Sequence, residues 1–96
     1  MNKLRKAAEG TPCLRCGNDD GTVVLCHYSG PWQHKFGKGR GIKGNDLAGA
    51  HLCYKCHAFF DEYKSKNIAG MVERSEEFLA LCLLTVIRLY EKGVIK

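Results

Sequence analysis

The sequence has no long apolar segment. Its longest apolar run, from Phe78 to Ile87, is interrupted by Thr85 and falls well short of the roughly 20 residues that a helix needs to cross a bilayer. The residues from Leu4 to Glu9 also lack the apolar core of a secretory signal. We therefore expect no membrane partner and a cytoplasmic location.

Acidic residues are absent from positions 27–45, in a chain that has 15 Lys and Arg against 10 Asp and Glu. Residues 32–44, which we call the basic loop, contain several glycines and carry four cations: Lys35, Lys38, Arg40 and Lys43. Cations attract phosphates, glycine permits close backbone approach, and Trp32 could stack on a base. The loop therefore predicts contact with DNA. The alternative for the cations is an ordinary solvated loop. The alternative for Trp32 and Phe36 is packing in the core, which we favour for Trp32.

Two C-x-x-C pairs, Cys13 with Cys16 and Cys53 with Cys56, stand out in a chain of 96 residues, which buries only a small core. This spacing lets four sulfurs converge on one zinc ion at about 2.3 Å, and four thiolates leave no open position. We therefore predict a structural zinc site. Two disulfides are the alternative, which a cytosolic location disfavours. A redox role for one C-x-x-C pair would leave the other pair unexplained.

The remaining pattern predicts two strands and three helices. Residues 17–52 exceed the roughly 15–20 residues that separate the pairs of a simple zinc ribbon, so an insertion is expected there. The expected elements are a short helix over 2–9, strands over 22–28 and 47–52, a helix over about 54–66, a break over 67–70 and a helix over about 71–92.

The C-terminal helix is predicted to be apolar over most of its circumference. Such a helix is buried on two sides or packs on a second copy of the chain, so a homodimer through this helix is one option. Cys82 is expected to be a buried, small hydrophobic residue. Ser75 is an alternative start of the helix, and Gly93 suits the position just after its end.

The order of these features resembles that in the ββα-metal, or HNH, endonucleases in which two C-x-x-C pairs hold the zinc finger together. The resemblance covers Cys13 to about Tyr63, with His27 ending the first strand and His57 directly after the second pair. The chain also resembles the small prophage-encoded nucleases of the YbcO type. The stretches that carry this second likeness are Leu4 to Ala8, His27 to Gly30, Asp46-Leu47, Cys53 to His57, and Gly93 to Lys96.

The resemblance implies an α+β fold: a zinc-stapled, treble-clef-like ββα finger over about residues 11–66, with the C-terminal helix over about 71–92 packed on it. The whole of residues 1–96 would be one nuclease domain. A bacterial cell or a phage-infected host would be its location.

The resemblance also implies roles for the two histidines. His27 would be the general base that activates water, for which a pKa near 6.5 is suitable; a purely structural histidine is the alternative. His57 would bind a second, catalytic ion, which could be Mg²⁺, Mn²⁺ or Zn²⁺. Asp61 lies one helical turn further on, so it shares a face with His57 and could bind the same ion. A solvated carboxylate is the alternative for Asp61.

Two positions depart from the family pattern. The residue before the base, usually an aspartate that binds metal, is Cys26, which is either a spectator or a sign of a softer ion. The middle residue of the motif, usually an asparagine, is out of register. We predict that Asp46 or Asn45 orients His27, and note that His51 also lies upstream of Cys53.

The sequence thus predicts a metal-dependent endonuclease that acts on DNA. A zinc finger that binds nucleic acid, or serves as an adaptor, without cutting is the alternative from another functional class.

Overall fold

The computed structural model describes residues 3–39, 44–61 and 68–95. The elements in chain order are helix α1 (Lys3–Lys6), strand β1 (Val24–His27), a 3-10 helix (Gln33–Phe36), strand β2 (Gly49–Leu52), helix α2 (Tyr54–Asp61) and helix α3 (Ile68–Glu91). The fold is a small α+β arrangement of a two-stranded sheet and a long C-terminal helix. This coarse architecture was predicted from the sequence.

The two strands pair antiparallel, with His27 opposite Gly49 and Cys26 opposite Ala50. Successive side chains of a strand point to opposite faces, and paired residues share a face. Cys26 and Ala50 therefore point into the main core, together with residues of α2 and α3. His27 lies on the other face of the sheet.

Aromatic rings form the centre of the core. Phe78 of α3 stacks on Phe60 of α2 with ring centroids 4.4 Å apart, and it lies 5.4 Å from Tyr28, which follows β1. The Tyr28 hydroxyl is 2.6 Å from the hydroxyl of Ser75 on α3. This buried pair satisfies both polar groups, and it fixes α3 against the end of β1.

The outer edge of β2 is closed by the chain itself. The backbone N–H of His51 donates to Thr85 Oγ1 of α3 at 3.2 Å, and the His51 carbonyl accepts from Leu14 N–H at 3.0 Å. Both backbone groups would otherwise be buried without partners, which costs about 1–3 kcal/mol each. The edge contacts therefore tie α3 and the first cysteine pair to the sheet.

Helix α3 begins earlier than predicted. Residues 68–70 are helical, so the predicted break is wrong there, and Ser75 lies inside the helix as a buried partner of Tyr28 instead of capping it. The Gly93 prediction is confirmed: its φ is 76°, its N–H donates to the Tyr90 carbonyl, and Val94 N–H donates to that of Leu89. This pair of bonds is the Schellman arrangement that ends helices.

The strands and helix α1 are shorter than predicted. The strands occupy four residues each, and α2 is described as far as Asp61. The remainder of the predicted helix, residues 62–66, lies outside the described residues, as does residue 67 of the predicted break.

Helix α3 has a second apolar face that points to solvent. Cys82 is buried, as predicted, but four large apolar side chains on the C-terminal half are 45–65% exposed: Leu83, Leu84, Ile87 and Tyr90. A homodimer through this helix stays a prediction. Within the described ranges, no helix has the length and apolar character needed to cross a membrane.

Candidate zinc centre and histidine–aspartate pairs

The four cysteines of the C-x-x-C pairs converge on one point. The sulfurs of Cys13, Cys16, Cys53 and Cys56 all lie within 4.8 Å of one another. The sulfurs of Cys16 and Cys53 are 3.6 Å apart, close to the roughly 3.8 Å expected between sulfurs bound to one tetrahedral zinc ion. All six cysteines are free thiols. The cluster could therefore hold a zinc ion, and the two-disulfide alternative does not occur.

The surroundings of the sulfurs shift the pKa values of Cys13 and Cys56 in opposite directions. Burial raises the pKa of the Cys13 thiol, but backbone N–H groups, led by that of Cys16, donate to its sulfur and bring the pKa down to about 6. The pKa of the Cys56 thiol rises to about 12, chiefly through burial. Metal binds the thiolate, so the hydrogen bonds to Cys13 favour the binding form and the burial of Cys56 opposes it.

Asp46 contacts His27 on the opposite side of the sheet from Cys26. The His27 Nε2 and Asp46 Oδ1 atoms are 2.6 Å apart, and both side chains are mostly buried, at 13% and 14% exposure. Asp46 lies in the turn before β2, and the residue opposite His27 in the sheet is Gly49. A side chain at this position would collide with Leu25, whose Cδ1 atom would lie 2.8 Å from the added Cβ. Glycine therefore makes space for Leu25 on the face of the sheet that carries His27.

Arg5 of α1 completes this cluster. Its Nε and Nη2 atoms lie 3.3 and 3.2 Å from Asp46 Oδ1, the oxygen that also contacts His27. The hydrogen bond to His27, followed by that to Arg5, holds the pKa of the Asp46 carboxyl below its ordinary value. The carboxylate is therefore ionised throughout the neutral pH range.

The second histidine forms a separate pair. His57 Nε2 and Asp61 Oδ2 are 2.8 Å apart on the surface of α2, at 37% and 48% exposure. The contact confirms that the two side chains share a helical face. Elsewhere among the residues with described positions, no third His, Cys, Asp or Glu joins either histidine–aspartate pair to form a metal-binding group.

Three other sequence candidates lie apart from His27. Cys26 is 1% exposed, its sulfur lies 3.6 Å from the Val24 carbonyl, and burial raises the pKa of its thiol to about 12; it behaves as a spectator in the core. The Asn45 side-chain oxygen accepts from Leu47 N–H and shapes the turn. His51 is fully buried, and burial lowers its pKa to about 4.

The basic loop is described only in part. Arg40 and Lys43 lie outside the described residues. Lys35 is exposed, Lys38 is half-buried, and Trp32 is 54% exposed, so the alternative that placed Trp32 in the core is wrong. Phe36 instead packs on the core, with its ring edge-on to Tyr28 at 5.5 Å.

Arg5 was missed by the sequence reasoning. Its partner lies 41 positions away, and local pattern does not reveal such a contact. A usable signal was present nonetheless, because Lys3, Arg5 and Lys6 form a cationic run on a helix, and a basic run of this kind is a candidate phosphate-binding element.

Comparison with protein-family models, with curated proteins and with solved structures finds no match for this chain. Function must therefore be inferred from the geometry of the site.

Proposed function

We propose that this protein is a metal-dependent endonuclease of the ββα-metal (HNH) type that hydrolyses phosphodiester bonds of DNA, with His27 as its general base. The observation that carries the proposal is the 2.6 Å contact between His27 Nε2 and Asp46 Oδ1. A histidine held by a carboxylate is the arrangement that general-base catalysis uses to orient an imidazole.

The contact also indicates which nitrogen would accept the proton. An ionised carboxylate can only accept hydrogen bonds, so Asp46 requires a hydrogen on His27 Nε2. In the neutral ring the lone pair then lies on Nδ1, and Nδ1 would take the proton from water as its oxygen attacks phosphorus. The bond from phosphorus to the 3′ oxygen breaks in the same reaction.

The charges around this pair are suited to a phosphate. Arg5 lies against Asp46, and α1 also carries Lys3 and Lys6, while the basic loop adds Lys35 and Lys38. Such a set of cations raises the local concentration of a polyanion. DNA is therefore the proposed substrate.

Two metal sites belong to the proposal. The four-cysteine cluster would hold a structural zinc ion with no open coordination position. His57 and Asp61 would hold a second divalent ion, Mg²⁺, Mn²⁺ or Zn²⁺, and leave its other positions to water and phosphate. Such an ion, when bound, supplies Lewis-acid stabilisation of the phosphate and of the departing 3′ oxygen.

A plasmid-nicking assay tests the proposal. The purified protein should nick supercoiled DNA in the presence of Mg²⁺, Mn²⁺ or Zn²⁺, and His27→Ala should slow nicking by about 10²–10⁴-fold, the usual contribution of a general base. Lys92→Gln is the control, because Lys92 is exposed, lies beyond the end of α3 and is outside the basic loop, and it should retain the wild-type rate. Circular dichroism must show that both variants are folded.

Nicking by His27→Ala at the wild-type rate would refute the assignment of the base. No nicking with any of the three ions would refute the nuclease proposal itself. If His57→Ala folds but no longer shows metal-stimulated nicking, the second ion site is supported. If metal stimulates nicking by this variant as in the wild type, the site is refuted.

The alternative is a zinc-containing module that binds DNA without cutting it. Two observations favour it: Cys26 replaces the expected ligand and faces the core, and no third ligand joins His57 and Asp61 in the described part of the chain. DNA binding without nicking would select this alternative.

Both functions predict salt-sensitive binding through the basic loop. Each phosphate contact contributes about 0.9 to the slope of log affinity against log salt on duplex DNA. Lys35→Gln and Lys38→Gln should each lower the magnitude of that slope by about 0.9, the value of one phosphate contact. Lys92→Gln, beyond the end of α3, should not change the slope. Fluorescence anisotropy with labelled duplex over a series of salt concentrations measures the slope. A slope unaffected by the loop variants would exclude the loop as the docking surface.

A further inference from the structure

Arg15, the second of the two residues between Cys13 and Cys16, contacts three residues on two helices. Its Nε donates to Glu77 Oε2 of α3 at 2.9 Å, and its Nη1 lies 3.9 Å from the sulfur of Cys56 on α2. Its guanidinium carbon lies 4.1 Å from the ring centroid of Phe59, also on α2. One side chain therefore joins the first cysteine pair to both helices.

The ion pair alone does not account for this arrangement. The side chains of Arg15 and Glu77 are 29% and 42% exposed, and an exposed pair of this kind contributes little to stability. What distinguishes Arg15 is that the same guanidinium, positioned by Glu77 and stacked on Phe59, is held beside a metal-binding sulfur. Stacking and the fork geometry are properties of arginine that lysine does not reproduce.

The negative charge of a zinc ion bound by four cysteines would favour a guanidinium beside the sulfurs. Four thiolates around one Zn²⁺ carry a net charge of −2, and the sulfurs of Cys13, Cys53 and Cys56 are buried or nearly so. A cation close to such a cluster stabilises the thiolate form, which is the form that binds metal. Groups that contact the ligands of a metal ion also fix their orientation.

We propose that Arg15 is a positioning residue of the zinc centre, which holds the Cys56 sulfur in its binding orientation, offsets part of the thiolate charge and couples metal retention to the docking of α3. The coupling runs through Glu77, because this carboxylate anchors the guanidinium to the helix. The inference concerns the zinc centre and does not depend on nuclease activity.

Zinc release from the loaded full-length protein provides the test. The rate is followed with a chromophoric zinc chelator in excess, and backbone hydrogen exchange reports the docking of α3. Arg15→Met keeps the aliphatic stem but removes the charge and the donors, and it should accelerate zinc release by about 10–100-fold, the usual effect of losing a group that supports a metal ligand. Glu77→Gln should accelerate release less and should increase hydrogen exchange around position 77.

Arg74→Met is the matched control. Arg74 also stacks on Phe59, at 4.3 Å from the ring centroid, and donates to the Phe59 carbonyl. Removal of this second guanidinium tests whether ring stacking alone accounts for the effect. Arg74→Met should release zinc at a rate within about twofold of the wild-type rate. This change is well below the roughly 10–100-fold acceleration expected when a group that supports a metal ligand is lost.

Equal release rates in Arg15→Met and wild type would overturn the proposal. An equally large acceleration in Arg74→Met would also overturn it, because aromatic packing would then be the cause. If Arg15→Met does not fold with zinc, Arg15→Lys decides. Faster release than wild type with α3 still protected supports the role of the guanidinium, and a wild-type rate refutes it.

Discussion

Replacement of one of the four clustered cysteines, the proposed zinc ligands, is expected to unfold most of this domain at room temperature. Zinc binding to structural cysteine sites is worth roughly 10–16 kcal/mol in small peptides, which matches or exceeds the roughly 5–15 kcal/mol that stabilises a whole domain. Here the four sulfurs join the segment before β1 to the start of α2. Cys16→Ser is the sharpest variant, because Cys16 is exposed and its replacement removes almost no packing.

The comparison is with Cys82→Ala, which alters a buried cysteine outside the cluster. This variant should lose only about 1–2 kcal/mol from reduced burial and a small cavity, and it should keep one zinc ion per chain. Thermal unfolding followed by circular dichroism, together with metal analysis, measures both effects. A Cys16→Ser protein with wild-type zinc content and an unchanged unfolding midpoint would show that the cluster does not hold a structural metal.

Replacement of Asp46 by asparagine is expected to reduce the rate of DNA nicking by about 10²–10⁴-fold, as large a loss as removal of the base. The amide has the shape of the carboxylate but lacks its charge, so it no longer requires the hydrogen of His27 to lie on Nε2. The affinity for DNA should stay the same or rise, because a negative charge is removed beside Arg5. Separate measurement of kcat and of the binding constant distinguishes this outcome from general unfolding, which would reduce both.

The same variant tests the electrostatics of the folded state. The pKa of Asp46 is lowered on folding, so its stabilising contribution is fully present above the unfolded value of about 3.9 and is lost as the pH falls through the lower folded value. The difference in the free energy of unfolding between wild type and Asp46→Asn should therefore shrink as the pH falls below about 3.9. Asp19→Asn, a change of an exposed carboxylate, serves as the control. A difference that does not change down to about pH 2 would contradict the proposed charge interaction.

The features that the sequence revealed depend on local spacing. Two C-x-x-C pairs brought four sulfurs together, and the glycine after α3 ended that helix in the expected way. The contact between Asp46 and His27 was also expected, although Asn45 was an equal candidate. Turn geometry decided between them, because Asn45 uses its side-chain oxygen to accept from Leu47 N–H.

The features that were missed depend on tertiary packing. Arg5 reaches Asp46 only because α1 lies close to β1. Trp32 is exposed, whereas Phe36 packs against the core with its ring edge-on to Tyr28. The separation of Cys26 from His27, in contrast, could have been predicted from the sequence. Adjacent residues of a strand point to opposite faces of the sheet.

The contacts of Leu14 and Thr85 with His51 bear on how the protein behaves at high concentration. A two-stranded sheet has two edges, and an open edge can recruit a strand from a neighbouring chain and begin aggregation. On β2 the backbone groups of His51 are already occupied, so the edge of β1 offers the easier place for intermolecular strand addition. A charged substitution aimed at solubility would therefore be best placed at the exposed Val24.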